Sequence, residues 1–182
     1  MRVTSFVAVL AATMVAGCAA PVEEILAEPT TATSTAILES WQVARLNITE
    51  SAELMNEMAP GFQPTDAVRT FSQMLTHIAG ANYIFCSAAK GEESPHSEES
   101  FEDVVTEPDE IRRVLEESMA YCDAAYEAAT DASLAEMIEQ PFSGDPGPRA
   151  AALICNVGHL NEHYGNLVTY FRVNDLVPPS SR

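Results

Sequence analysis

Apolar residues recur at intervals of three and four along four stretches of the chain. From Ser34 to Met58 the positions Ile37, Trp41, Ala44, Ile48, Ala52, Met55 and Met58 fall on one stripe, which predicts an amphipathic helix. Pro60-Gly61 ends it. Thr65, after Pro64, reads as an N-cap, and Val68, Phe71, Leu75, Ile78, Tyr83 and Phe85 carry a second helix to about Ala89. Pro108, followed by Asp109 and Glu110, opens a third helix through Ile111, Val114, Leu115, Met119, Cys122, Ala125 and Tyr126, closing near Thr130. A fourth starts around Pro148 and runs through Ala152, Ile154, Cys155, His159, Leu160, His163, Leu167, Tyr170 and Phe171, until Val177-Pro178-Pro179 stops any continuation. Asp131 to Gln140 reads as one short turn of helix and Pro141 to Pro148 as a loop. No stretch alternates with period two for long enough to predict a strand.

Four helices of about 20 to 26 residues predict an all-α fold, a four-helix bundle over residues 34–179, with 180–182 as a short tail. Connected up and down, such a bundle has its second and fourth helices parallel. Between the second and third helices the composition changes to KGEESPHSEESFEDVVTEPDE, acidic, serine-rich and poor in apolar residues. A connection of nearly twenty residues in a compact domain is either functional or mobile. His96 lies within it and is expected to be exposed and idle.

The first residues, MRVTSFVAVLAATMVAGC, place one positive charge before an apolar run and small residues before Cys18. That order predicts an export signal over residues 1–17, too short to span a membrane. Val15-Ala16-Gly17-Cys18 resembles the lipobox of bacterial lipoproteins, which implies a mature chain beginning at a lipid-carrying Cys18. Residues 18–33 then read as a flexible tether reaching on the order of 50 Å when stretched. Ala19 stands where an aspartate would suggest retention at the inner membrane, so the expected location is periplasm-facing and outer-membrane anchored.

The chain has nine Lys and Arg against 27 Asp and Glu, and loss of Arg2 with the signal takes the net charge from −18 to −19. Such a surface repels phosphate backbones and anionic headgroups. Nucleic acid is therefore excluded as a partner, and membrane attachment rests on lipid. With Cys18 lipidated, Cys86, Cys122 and Cys155 remain, enough for one internal disulfide and a leftover thiol, expected to be buried.

Candidate chemistry sits in H-L-N-E-H, residues 159–163. Residues four apart on a helix have Cβ atoms about 5–6 Å apart, so His159 and His163 can reach one ion at ~2.1 Å. Counted from Thr65, His77 is twelve residues in; counted from Pro148, His159 is eleven and His163 fifteen. In parallel helices the three lie within roughly 6 Å of one level at 1.5 Å per residue. His77 follows the stripe of Phe71, Leu75 and Ile78, and Gly80 leaves space above it. Three imidazoles with a fourth position open match a catalytic zinc-type centre rather than a closed structural one. Glu162, about 100° around the helix from His163, is a candidate proton acceptor beside the ion; an exposed rim charge is the ordinary alternative. The H-x-x-E-H spacing also fits inverzincin proteases, but only nineteen residues follow His163, too few for that family's further ligand. Trp41, Met55 and Tyr83 are candidates for the pocket lining, with core packing as the simpler assignment.

T-H-I-A-G-A-N-Y around His77, H-L-N-E-H-Y-G-N-L-V-T-Y-F-R from His159 and the closing L-V-P-P together resemble the DinB/YfiT-like metalloenzymes. The resemblance implies a four-helix bundle whose three histidines, here His77, His159 and His163, bind a divalent ion, zinc or nickel. It implies a metal-dependent hydrolase or thiol transferase acting on an unidentified small molecule, with a non-catalytic metal- or ligand-binding lipoprotein as the alternative and a homodimer as the oligomer to consider. An export signal argues against a cytosolic thiol cosubstrate. Counting along the helices places Cys122 level with Cys155 and favours a 122–155 bridge, while a shift of the third helix allows 86–122; connectivity stays open.

Overall fold

A computed structural model describes residues 31–182. The predicted signal, Cys18 and most of the predicted tether lie outside the described residues. Five helices and a small hairpin follow in the order α1 (Ala32–Glu53), α2 (Phe71–Lys90), α3 (Pro108–Glu127), α4 (Asp131–Leu134), β1 (Met137–Glu139), β2 (Pro146–Pro148) and α5 (Arg149–Val173). The fold is all-α, a bundle of the four long helices. No helix among the described residues is long and apolar enough to cross a membrane.

Helix ends depart from the local signals where distant residues supply the caps. α1 begins at Ala32, before Ser34, because the Asp131 carboxylate accepts the free backbone N–H of Ser34 at 2.8 Å; an anion there also suits the helix dipole. α2 begins at Phe71 rather than after Thr65. Its start is a capping box: Thr70 Oγ1 accepts from Gln73 N at 3.2 Å and Gln73 Oε1 accepts from Thr70 N at 2.8 Å, satisfying two orphan donors reciprocally. Val68, placed on the second stripe by its spacing, is exposed in the irregular segment before that cap. α2 ends at Gly91, whose φ of 73° is a left-handed cap that favours glycine. The hairpin corrects the expectation of no strand: Ile138 pairs with Gly147 antiparallel, in strands of three residues, too short to show a period.

The connectivity is not up and down. α1 packs on α3 and α5, and α2 packs on the same two, so α1 and α2 sit diagonally. α2 and α5 run antiparallel: Phe71 meets Phe171 at 5.8 Å, His77 meets His163, and Arg149 donates to the carbonyl of Ala89. α2 and α3 run parallel, with Asn82 on Ser118 at 3.1 Å and Cys86 bonded to Cys122, a constant offset of 36 residues. By that offset Pro108 lies level with Ser72, so the chain leaving Lys90 must return almost the whole of α2, about 27 Å at 1.5 Å per residue, before α3 can start. The acidic connection is long because parallel neighbours require it.

The same topology settles the disulfide. Cys86 and Cys122 are fully buried, with Cα atoms 5.3 Å apart, and Cys155 is the free thiol among the described residues. It is exposed rather than buried, contrary to expectation, because it lies on the outer face of α5 away from α3. The core between the helices is built from large side chains such as Trp41, Phe71, Leu115, Tyr126, Leu153 and Phe171. Trp41 stacks on Tyr126 at 4.5 Å and donates Nε1–H to Asp123 at 2.8 Å. The last residues fold back on α5, with Ser180 N donating to the Tyr164 hydroxyl at 2.8 Å.

Candidate metal centre

α2 and α5 bring three imidazoles together. The Nε2 atoms of His77, His159 and His163 lie 3.2 Å (77–159), 3.1 Å (77–163) and 3.0 Å (159–163) apart. His77 and His163 are buried and His159 half-buried. The premise of parallel helices fails, yet the rings still meet: Phe71 faces Phe171 across the antiparallel pair, so His77, in the second turn of α2, comes level with the stretch of α5 before Phe171 that carries His163 and His159.

Burial is the main reason the rings resist protonation. It pushes His77 down to about 4, helped by the Arg69 charge and by His163. It pushes His159 down to about 3, with His163, His77 and Arg69 adding to the effect. His163 is also lowered by burial, opposed by Glu162 and assisted by Arg69. At neutral pH all three are neutral and each has one lone pair to offer.

Three neutral imidazoles facing one another are poorly satisfied by themselves. All three Nδ1 atoms are buried without a hydrogen bond. With the protons on Nδ1, the three Nε2 lone pairs point at each other; with them on Nε2, the Nδ1 acceptors are orphaned. A cation among the Nε2 atoms removes the first conflict. The centre of their triangle is about 1.8 Å from each nitrogen, close to the zinc–imidazole distance of ~2.0–2.1 Å. The trio could therefore hold a metal ion.

The acidic connection supplies what lies behind His77. Its Nδ1 is 3.4 Å from Glu98 Oε1 and 3.8 Å from Glu102 Oε2, close but not aligned for a hydrogen bond. Gly80 makes this approach possible: a Cβ there would stand 2.3 Å from the carbonyl oxygen of Glu98. The space above His77 anticipated from Gly80 is thus filled by backbone of the connection. Glu98 and Glu102 were not among the expected site residues; a glycine on a buried helix face opposite a long acidic segment was their one visible signal. His96 is half-buried, its ring 4.6 Å from Tyr83 and 4.7 Å from Phe101, so it is a packing residue rather than an idle one.

On the open side, a cleft of about 520 Å³ is lined by Arg69, Met74, Glu162, His163, Asn166 and Tyr170 among others. Glu162 is exposed on its rim and makes no hydrogen bond or ion pair among the described residues. A larger cavity of about 610 Å³ lies between the end of α2 and the hairpin, and none of the three histidines lines it; the chemistry therefore points to the smaller one. Arg69 is held by Glu102, Nε to the two carboxylate oxygens at 3.1 and 3.2 Å, and its carbonyl accepts from the Tyr170 hydroxyl at 2.7 Å. Phe85 packs against His159 at 5.7 Å. Trp41, Met55 and Tyr83 are buried and do not line the cleft.

Residues 28–167 match the family model described as the DinB superfamily. No curated protein matches the chain. Among solved structures, a DinB-like protein from Bacillus cereus ATCC 10987 aligns with a TM-score of 0.67 at 19% identity, covering 80% of this chain and 95% of that one. A mycothiol-dependent maleylpyruvate isomerase aligns with a TM-score of 0.61 at 18% identity, covering 74% of this chain and 60% of the isomerase. A histidine-to-alanine variant of that isomerase gives the same figures. At these identities the likeness is one of fold.

Proposed function

The chain belongs to the DinB superfamily, and from that premise we propose that it is a divalent-metal protein in which His77, His159 and His163 hold one ion, zinc or nickel, beside a substrate cleft. The single observation that carries the reading is the set of three Nε2 atoms within 3.2 Å of one another on rings that burial keeps neutral. A divalent ion so held supplies a bound water with its pKa lowered to about 7 and a means of polarising a carbonyl. Glu162, on the rim beside His163, accepts a proton from a nucleophile entering the cleft. Glu98 and Glu102 stand 3.4 and 3.8 Å from the far edge of the His77 ring, the place carboxylates take behind metal-binding histidines.

Hydrolysis of a small molecule is the favoured reaction class. Thiol transfer is the second reading, supported by the fold shared with an isomerase that depends on mycothiol. The buried Cys86–Cys122 disulfide weighs for the first, since it fits an oxidising compartment, where a reduced cytosolic thiol is scarce. It fits equally the export reading, in which the protein is held to the outer membrane by lipid on Cys18.

Elemental analysis of the chain from Ala19 onward, prepared without a histidine tag, tests the site. About one divalent ion per chain is expected for a single three-histidine centre, with a large loss in His163→Ala. Equal metal content in the two proteins would remove the assignment. Metal binding without turnover on ester, amide or thiol-transfer substrates would favour the non-catalytic alternative.

A further inference from the structure

We propose that the cleft beside His163 takes a small monocarboxylate, gripped by Arg69. The inference rests on the metal-site reading for what lies next to the bound molecule, and not for the grip itself.

In a chain of net charge −18 most cations are spent on neighbouring acids: Arg45 on Asp123, Arg113 on Glu110 and Glu117, Arg149 on Glu136. Arg69 is used differently. Glu102 takes only the Nε edge of its guanidinium, and the two Nη nitrogens have no protein partner among the described residues. The residue is anchored twice, by that carboxylate and by the Tyr170 hydroxyl on its carbonyl, so the outer N–H groups are presented without further loss of side-chain freedom. A planar fork of this kind matches a carboxylate.

The surroundings select the size and charge of the guest. Arg69 and His163 line the same cleft of about 520 Å³, together with the apolar Val68 and Met74 and the amide of Asn166, which has no hydrogen bond among the described residues. The Arg69 charge is felt at all three histidine rings, lowering each. Glu162 on the rim opposes a second negative charge, so a carboxylate on an apolar body fits and a phosphate dianion does not.

Calorimetric titration with phenylacetate and its neutral isostere phenylacetamide tests the assignment, using the purified protein both as isolated and after chelator treatment. The acid is expected to bind about tenfold or more tighter than the amide in both metal states, the value of one charge-assisted pair. Arg69→Gln, checked by circular dichroism and metal content, should bring the two affinities to within about threefold. Equal affinities in the parent, no binding of phenylacetate up to about 20 mM, or an unchanged ratio in Arg69→Gln would overturn the proposal. A ratio that appears only with metal and survives Arg69→Gln assigns the carboxylate to the ion and also overturns it. A protein that carries no metal as isolated and takes up none when zinc is added, yet keeps the ratio, sinks the metal reading and leaves this one standing. Should Arg69→Gln not fold, Glu162→Gln decides: tightening of the acid alone by about threefold, from lost repulsion, is the expected result, and no selective change refutes it.

Discussion

Gly80→Ala probes the packing of the acidic connection over the site. In an exposed helix interior, alanine is favoured over glycine by about 1 kcal/mol. At Gly80 the new Cβ would stand 2.3 Å from Glu98 O, 2.8 Å from Glu98 C and 2.9 Å from Ser97 O, all backbone atoms. Ordinary contact requires the connection to move by about 1 Å or more, and overpacking of this kind costs roughly 1–3 kcal/mol. The net expectation is a loss of about 0–2 kcal/mol once propensity is credited. Gly165→Ala is the control, since nothing lies within 4 Å of its added Cβ on the exposed face of α5; it should gain about 0.5–1 kcal/mol. Urea denaturation of both variants reads the difference, with each kcal/mol also appearing as a shift of about 2–4 °C in Tm for a chain of this size. Because displacement carries Glu98 away from His77, zinc affinity should fall in Gly80→Ala and stay level in Gly165→Ala. Equal stabilisation of the two variants would refute the reasoning: the connection would then not rest on α2 at all.

The metal-stripped protein should lose stability as pH falls from about 6.5 towards 4, because the unfolded histidines take up protons at their ordinary value while the folded rings, held down to about 4 at His77 and about 3 at His159, do not. Each such group contributes a slope of at most about 1.4 kcal/mol per pH unit, and His159→Ala should flatten the profile in that window and leave it unchanged above pH 7. Glu98→Gln removes the carboxylate nearest the His77 Nδ1 and should weaken zinc affinity by about tenfold in a competition titration, the lower end for partners behind a ligand; affinity within twofold of the parent would deny Glu98 that role. Reduction of Cys86–Cys122, which closes a separation of 36 residues, should lower unfolding stability by about 2–4 kcal/mol. Native labelling should find Cys155 alone among these three cysteines reactive before reduction.

The helices and the histidine pair on α5 are legible because both are local, whereas His77, 82 residues from His159, joins them only through the family resemblance and a level count whose parallel premise fails. A stripe at three and four decides what a helix buries, and the i,i+4 pair on α5 needs only helical geometry to present two rings to one point. What was not legible is how the rods are ordered and directed. Up-and-down connection is the simplest arrangement, and nothing in the apolar stripes of α2 and α5 distinguishes parallel from antiparallel packing. That one property carried the disulfide with it: Cys122 pairs with Cys86 because α3 runs alongside α2, whereas the assumed order placed it level with Cys155. The start of α2 was readable after all. Thr70-x-x-Gln73 is a capping-box sequence, whereas Thr65 has only the preceding proline in its favour. The early start of α1 was not readable, since Asp131 caps it from nearly a hundred residues away.

The two long connections divide the surroundings of the trio between them. The segment from α1 to α2 must reach the diagonal position of the bundle, and its end delivers Arg69 and an apolar wall to the open side of His163. The segment from α2 to α3 must run back along α2 and passes behind His77, delivering Glu98 and Glu102. Arg69 and Glu102 then join the two connections by an ion pair at 3.1 Å. The rings themselves sit on helices whose core packing fixes them, while every charged group near them except Glu162 comes from a connection. Substitutions at Arg69, Glu98 and Glu102 can therefore change what the centre binds and how tightly its rings are held without touching the core that brings the rings together. The separation has a physical origin: a parallel neighbour and a diagonal neighbour cannot be joined by short turns, so this topology obliges long segments to cross the region where the histidines meet.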